Sequence, residues 1–149
     1  MRAPTSMNFT QSQQARLSYI DFKLYFLGEL RRTDIMDHFG IGPAAATRDI
    51  TAYKKIAPNN LQLDNIDKTY YPTDDFVPFF KHSPQKTLMA LSQGLSEGTK
   101  FDKLQSKIPS DFPTILSIPD NAILATITRA INLGKAVHLT YTSIRSGRT

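Results

Sequence analysis

The residues that most directly suggest chemistry gather between positions 44 and 55: Ala44, Ala45, Thr47, Arg48, Thr51, Lys54 and Lys55. A guanidinium matches the edge of guanine through two parallel hydrogen bonds, so Arg48 is the first candidate for reading a base. Thr47 and Thr51 bring hydroxyls suited to base edges or phosphates, and Ala44 and Ala45 bring methyls that can meet the methyl of thymine. Lys54 and Lys55 lie farther along and suit phosphates. Arg31 and Arg32, with Thr33 beside them, form a second group suited to a phosphate backbone. Asn65 and Lys68 form a third, suited to a neighbouring backbone or a minor groove. Asp49, inside the first cluster, would repel phosphate unless paired, and reads as a structural acid.

Other chemistries find little support. His38, His82 and His138 lie in three different segments, none with a His or Cys at ligand spacing, so no metal site is expected. Asp74-Asp75 sits in a connector and reads as a solvated turn rather than a catalytic dyad. No phosphate-binding glycine loop and no nucleophile elbow occur. The absence of cysteine excludes disulfides and thiolate chemistry. The sequence therefore gives no basis for an enzyme, and no cofactor is expected.

Composition sets wider bounds. Of 149 residues, 40% are hydrophobic and 21% charged, which supports a folded core rather than a disordered chain. The formal charge of +5 favours a polyanionic partner only weakly. The excess is spread out: residues 1–72 carry nine basic against seven acidic side chains, and residues 73–149 nine against six. No apolar run approaches a membrane span, and Met1 to Gln14 lacks the apolar stretch of a signal peptide. A cytoplasmic protein is expected.

The elements that position the cluster follow from periodicity. Leu17, Ile20, Leu24 and Leu27, with Phe26 and Leu30, predict an amphipathic helix from about Ser12 to Leu30. A short helix from Thr33 to Phe39 follows, with Thr33 as N-cap and Gly40 as stop. Gly42 allows a tight turn, and Pro43 opens a third helix that runs to about Ala57. Its inner face is Ala46, Ile50 and Tyr53. Leu61 to Leu63 and Lys68 to Tyr71 predict a β-hairpin. Beyond a connector come helices at Pro84 to Gln93 and Ala122 to Leu133, the latter capped by Asp120 or Asn121, and a strand at Ala136 to Ile144. Residues 94–120 read as loop-rich with short elements.

Helix, short helix, tight turn, helix and hairpin in this order describe a winged helix-turn-helix. The fold expectation is mainly α with small β. A DNA-binding domain spans 10–73, a helical connector or dimerisation region spans 74–134, and the first strand of a second domain lies in 135–149. Phe76, Phe79, Phe80, Leu88, Leu91 and Ile127 serve either a dimer contact or the monomer's own core. Such folds also act as protein-interaction modules. RNA binding lacks exposed aromatic stacking pairs, Tyr70 and Tyr71 being too few.

The stretches Leu30 to Ile35, Phe39 to Gly42 and Ala46 to Ile50, with Tyr53, resemble WYL-domain transcription regulators, and most of all the repressors beside phage-defence systems such as BREX and CBASS. Ala57 to Leu61 and Lys68 to Tyr71 match the ends of that family's wing. Ala130-Ile131, Gly134-Lys135, Leu139, Tyr141 and Ser143 look like the opening of a WYL domain. The resemblance implies a cytoplasmic homodimer that binds double-stranded DNA at an inverted-repeat operator and represses by occluding a promoter. A signal to the WYL domain would relieve it. Against that pattern the sequence ends just after the first WYL strand, so most of the ligand pocket is expected to be missing. A second possibility is therefore a shortened form that heterodimerises with a full-length regulator.

Overall fold

The computed structural model describes residues 8–93, 95–96, 99–100 and 119–142. Helix α1, Gln11–Phe22, begins where the Thr10 side chain accepts a hydrogen bond from the Gln13 N–H. It continues as one π-helical turn, Lys23–Leu27, and stops at Gly28. The expected helix to Leu30 is thus shorter and changes pitch. The Gly28 N–H donates to the Lys23 carbonyl at 3.0 Å, one residue farther back than an α-helix allows. Gly28 then takes a left-handed backbone, φ 76°, where the helix cannot continue.

Helix α5, Asn121–Leu133, explains this break. It packs across the π turn, and a Cβ on Gly28 would stand 3.0 Å from Leu133 Cδ1. The last carbonyls of a helix have no partner within it. Here α5 supplies them. Thr128 Oγ1 donates to Phe26 O and Arg129 Nε to Tyr25 O, each at 2.5 Å. Asn132 Nδ2 donates to Leu27 O at 2.9 Å. The Arg129 guanidinium also lies over the rings of Tyr25 and Phe76, and burial makes it easier to deprotonate than a free arginine. Asp120, one of the two caps the sequence offered, caps α5.

Helix α2, Arg32–Phe39, starts one residue earlier than expected, and Thr33 is not its N-cap. Arg31 holds that position, and the Asp34 carboxylate reaches back to the Arg31 N–H at 2.8 Å. An acid at the third helical position does the capping in place of a hydroxyl at the first. The same carboxylate pairs with the buried Lys23 ammonium at 3.3 Å. Gly40 ends α2, and Pro43 opens α3, Pro43–Ile56.

Strands β1, Leu61–Asp64, and β2, Thr69–Pro72, form the wing, with Leu63 opposite Tyr70 and Asp64 opposite Thr69. Lys68 lies in the turn at φ 57° rather than in the strand expected there. The wing is fastened to the body: Leu30 and Tyr70 exchange both backbone hydrogen bonds, at 2.8 and 2.9 Å. Helix α4, Pro84–Gln93, follows the connector, and a minimal antiparallel pair joins β3, Leu95–Ser96, to β4, Thr99–Lys100.

The core is made by Leu17, Ile20, Leu24 and Phe26 of α1 and its π turn, Ile35 of α2, and Ala46, Ile50 and Tyr53 of α3. Leu91 is buried in it, and Phe76, Phe80 and Leu88 pack half-buried against it, so these four complete the monomer. Phe79 and Ile127 stay more than a third exposed. The strand expected at Ala136–Ile144 is not formed over residues 136–142, and residues 143 and 144 lie outside the described set. A strand requires a hydrogen-bonded neighbour, and none of the described residues pairs with this stretch.

One polar cluster crosses this core. Asp21 is fully buried, and its two oxygens take four hydrogen bonds. Tyr53 Oη donates to Oδ1 at 2.5 Å, and the Phe79 N–H does so at 3.0 Å. The Phe80 N–H and His82 Nε2 approach Oδ2 at 3.2 and 2.7 Å. Asn60, at the base of the wing, donates to Tyr53 Oη at 3.0 Å and exchanges hydrogen bonds with the backbone of Val77. Burial, with the Asp21 charge beside it, holds the Tyr53 phenol protonated far above its ordinary range. The cluster ties α1, α3, the wing and the connector into one body.

Candidate nucleic-acid interface

Helix α3 divides into two faces. Ala46, Asp49, Ile50 and Tyr53 point inward and are buried. Ala44, Thr47, Arg48, Thr51, Lys54 and Lys55 are exposed, with Ala45 half-buried at the margin. The 3.6-residue period places these sets on opposite sides of one cylinder.

Electrostatics sharpen the division. Asp49 is the only acid in α3, and it is withdrawn from the outer face. Arg16 of α1 grips it with Nε 2.6 Å from Oδ2 and Nη2 3.4 Å from Oδ1. The outer face is left with Arg48, Lys54 and Lys55 and no exposed carboxylate of its own helix. Lys54 lies over the Tyr70 ring, 5.3 Å from its centroid, which fixes one lysine between helix and wing. Arg48 and Lys55 make no hydrogen bond or ion pair among the described residues. The threonine protons are committed. Thr47 Oγ1 donates to Pro43 O and Thr51 Oγ1 to Thr47 O, both at 2.9 Å. Each hydroxyl keeps acceptor capacity but offers no donor without breaking that bond.

The second cationic group lies beside the first. Arg32 Nη1 reaches Thr47 Oγ1 at 3.4 Å, linking the start of α2 to the outer face of α3. Arg31 is exposed, yet its Nε donates to Thr69 Oγ1 at 3.0 Å, so part of its fork holds the wing. Thr33 is exposed in the first turn of α2. Asn65 and Lys68 are exposed at the wing tip. They share it with two acids. The Asp64 carboxylate accepts from the Ile66 N–H and the Asp67 carboxylate from the Thr69 N–H, at 2.8 and 2.9 Å. Tyr71 Oη donates to the other Asp67 oxygen and pulls that carboxyl below its usual range. The tip is hydrogen-bonded to itself, is not strongly basic, and carries an almost bare Ile66, 95% exposed.

Sequence reasoning missed Arg16, Asp21, Asn60 and His82 as members of this frame. One signal was present: Asp21 falls on the apolar stripe Leu17, Ile20, Leu24 at a buried phase. A carboxylate there requires internal partners.

A brace helix, an outward cationic helix and a fastened hairpin define a winged helix-turn-helix protein. Residues 12–93 match the model of the BrxR transcriptional regulator winged helix-turn-helix domain, and the chain belongs to that family. It is 30% identical over 138 residues to the DNA-binding transcriptional repressor CapW of Escherichia coli strain KTE188, covering 89% of this chain and 46% of the relative. The CapW repressor of Stenotrophomonas maltophilia is 29% identical over 149 residues, covering 97% of this chain and 50% of the relative. That of Pseudomonas aeruginosa is 38% identical over 71 residues, covering 48% and 24%. The chain spans about half the length of the first two relatives. No helix among the described residues is long and apolar enough to cross a membrane.

Proposed function

We propose that this chain is the DNA-binding part of a transcriptional repressor, and that the outer face of α3 reads its operator. The observation that carries the reading is the state of that face: exposed, cationic, and cleared of its one acid by the Arg16–Asp49 pair. Arg48 reads a base, with Thr47 and Thr51 as acceptors toward base amino groups and Ala44 and Ala45 permitting close approach. Lys55, Lys54, Arg32 and the free part of Arg31 hold phosphates, with Thr33 at their edge. Asn65 and Lys68 make a lesser contact, because Asp64 and Asp67 share the tip. The CapW relatives bear the name of DNA-binding transcriptional repressors, which supports the direction of control.

Homodimerisation on an inverted repeat at a phage-defence locus belongs to the same proposal. Ile123, Ile127 and Ile131 recur every four residues along α5 and are more than a third exposed, a strip suited to a second copy.

A polarisation titration tests the reading. The full chain is titrated against the promoter duplex upstream of its own gene and against a scrambled duplex, over a series of salt concentrations. A preference of at least about 100-fold for the promoter is expected. So are two protomers per site and affinity that falls linearly with salt on logarithmic axes. Equal binding to both duplexes would contradict sequence-specific repression and favour a protein-interaction role.

A further inference from the structure

A groove of about 410 Å³ runs along the outer face of α3, between Phe9 on one side and Thr47, Arg48, Thr51, Ala52 and Lys55 on the other. Phe9 precedes the N-cap of α1, packs half-buried against the core and forms one wall of the groove. The walls are mostly carbon. The hydroxyl protons of Thr47 and Thr51 are turned onto helix carbonyls, so neither is a donor into the groove. Arg48 and Lys55, both exposed, are among the residues that line it. An apolar groove lined in part by two basic residues, on the helix proposed to face DNA, suits one feature of the major groove: the C5 methyl of thymine, with phosphates nearby.

We propose that Phe9 and Ala52 form a thymine-methyl subsite, which reads a base step next to the one read by Arg48. This rests on the DNA-binding reading above and deepens it. Arg48 selects by hydrogen bonds, whereas the notch selects by shape and removal of a methyl from water. Phe9, outside the helix-turn-helix proper, is then a specificity residue.

The test starts from a duplex enriched by the full chain from a randomised pool. Each thymine is replaced in turn by deoxyuracil, which removes only the methyl. One position per half-site is expected to lose about three- to tenfold in affinity, the scale of a single buried methyl. With Phe9→Ala that same replacement is expected to cost nothing. Ala52→Leu crowds the Ala52 wall of the groove, and is expected to abolish the preference for thymine over deoxyuracil while the protein keeps its helical circular dichroism. Neutral deoxyuracil at every position would overturn the proposal, as would an equal methyl effect in wild type and Phe9→Ala. Those results leave sequence-specific binding standing. Failure of the pool to enrich any sequence would overturn both readings together.

Discussion

The two faces of α3 are built on opposite principles. On the inner face every polar group has a partner: Tyr53 meets Asp21 and Asn60, and Asp49 meets Arg16. On the outer face Arg48 and Lys55 stand in solvent without one among the described residues. Arg48 and Asp49 are neighbours in sequence, and the helix turns one outward and the other inward. Buried polar groups cost stability unless they are satisfied, whereas exposed ones cost little and remain free to bind. The inner face therefore determines the position of the outer one. The proposed reading by Arg48 therefore rests on a helix held in place by buried groups on its opposite face.

Substitutions can break this division from either side. Asp21→Ala has the largest expected effect. It leaves Tyr53, His82 and two backbone N–H groups without their acceptor in the core, and loses at least about 3 kcal/mol of stability. Urea unfolding measures it. A loss below about 1 kcal/mol would mean that the cluster does not join the wing and connector to the helices. Asp49→Ala is smaller, about 1–2 kcal/mol, because Arg16 can turn to water. Its folded form is expected to keep its preference between duplexes. If that preference collapses while stability holds, the inner face takes part in readout.

Much of this was legible in the sequence, for physical reasons. Gly40, Pro43 and Pro58 punctuate helices wherever they occur, so the bounds of α3 lay within a residue of expectation. Its inner stripe of Ala46, Ile50 and Tyr53 followed from period alone. Other features depended on contacts distant in sequence. The π turn and the stop at Gly28 answer to α5, about a hundred residues later, whose Thr128, Arg129 and Asn132 bind the freed carbonyls. The start of α2 depended on whether the Asp34 carboxylate would reach back to the Arg31 N–H or Thr33 would cap an N–H farther on, and the spacing permits both. The place of Phe9 beside α3 was not legible, because it depends on how the segment before α1 packs.

The most direct test of the central idea is a paired measurement on Arg48→Ala: urea stability, and affinity for the enriched and scrambled duplexes at one salt concentration. Stability is expected to stay within about 0.5 kcal/mol of wild type. Discrimination between the duplexes is expected to fall by about 1–3 kcal/mol. An equal loss on both duplexes would reduce Arg48 to a phosphate contact. No loss on either would show that the outer face of α3 is not the reading head.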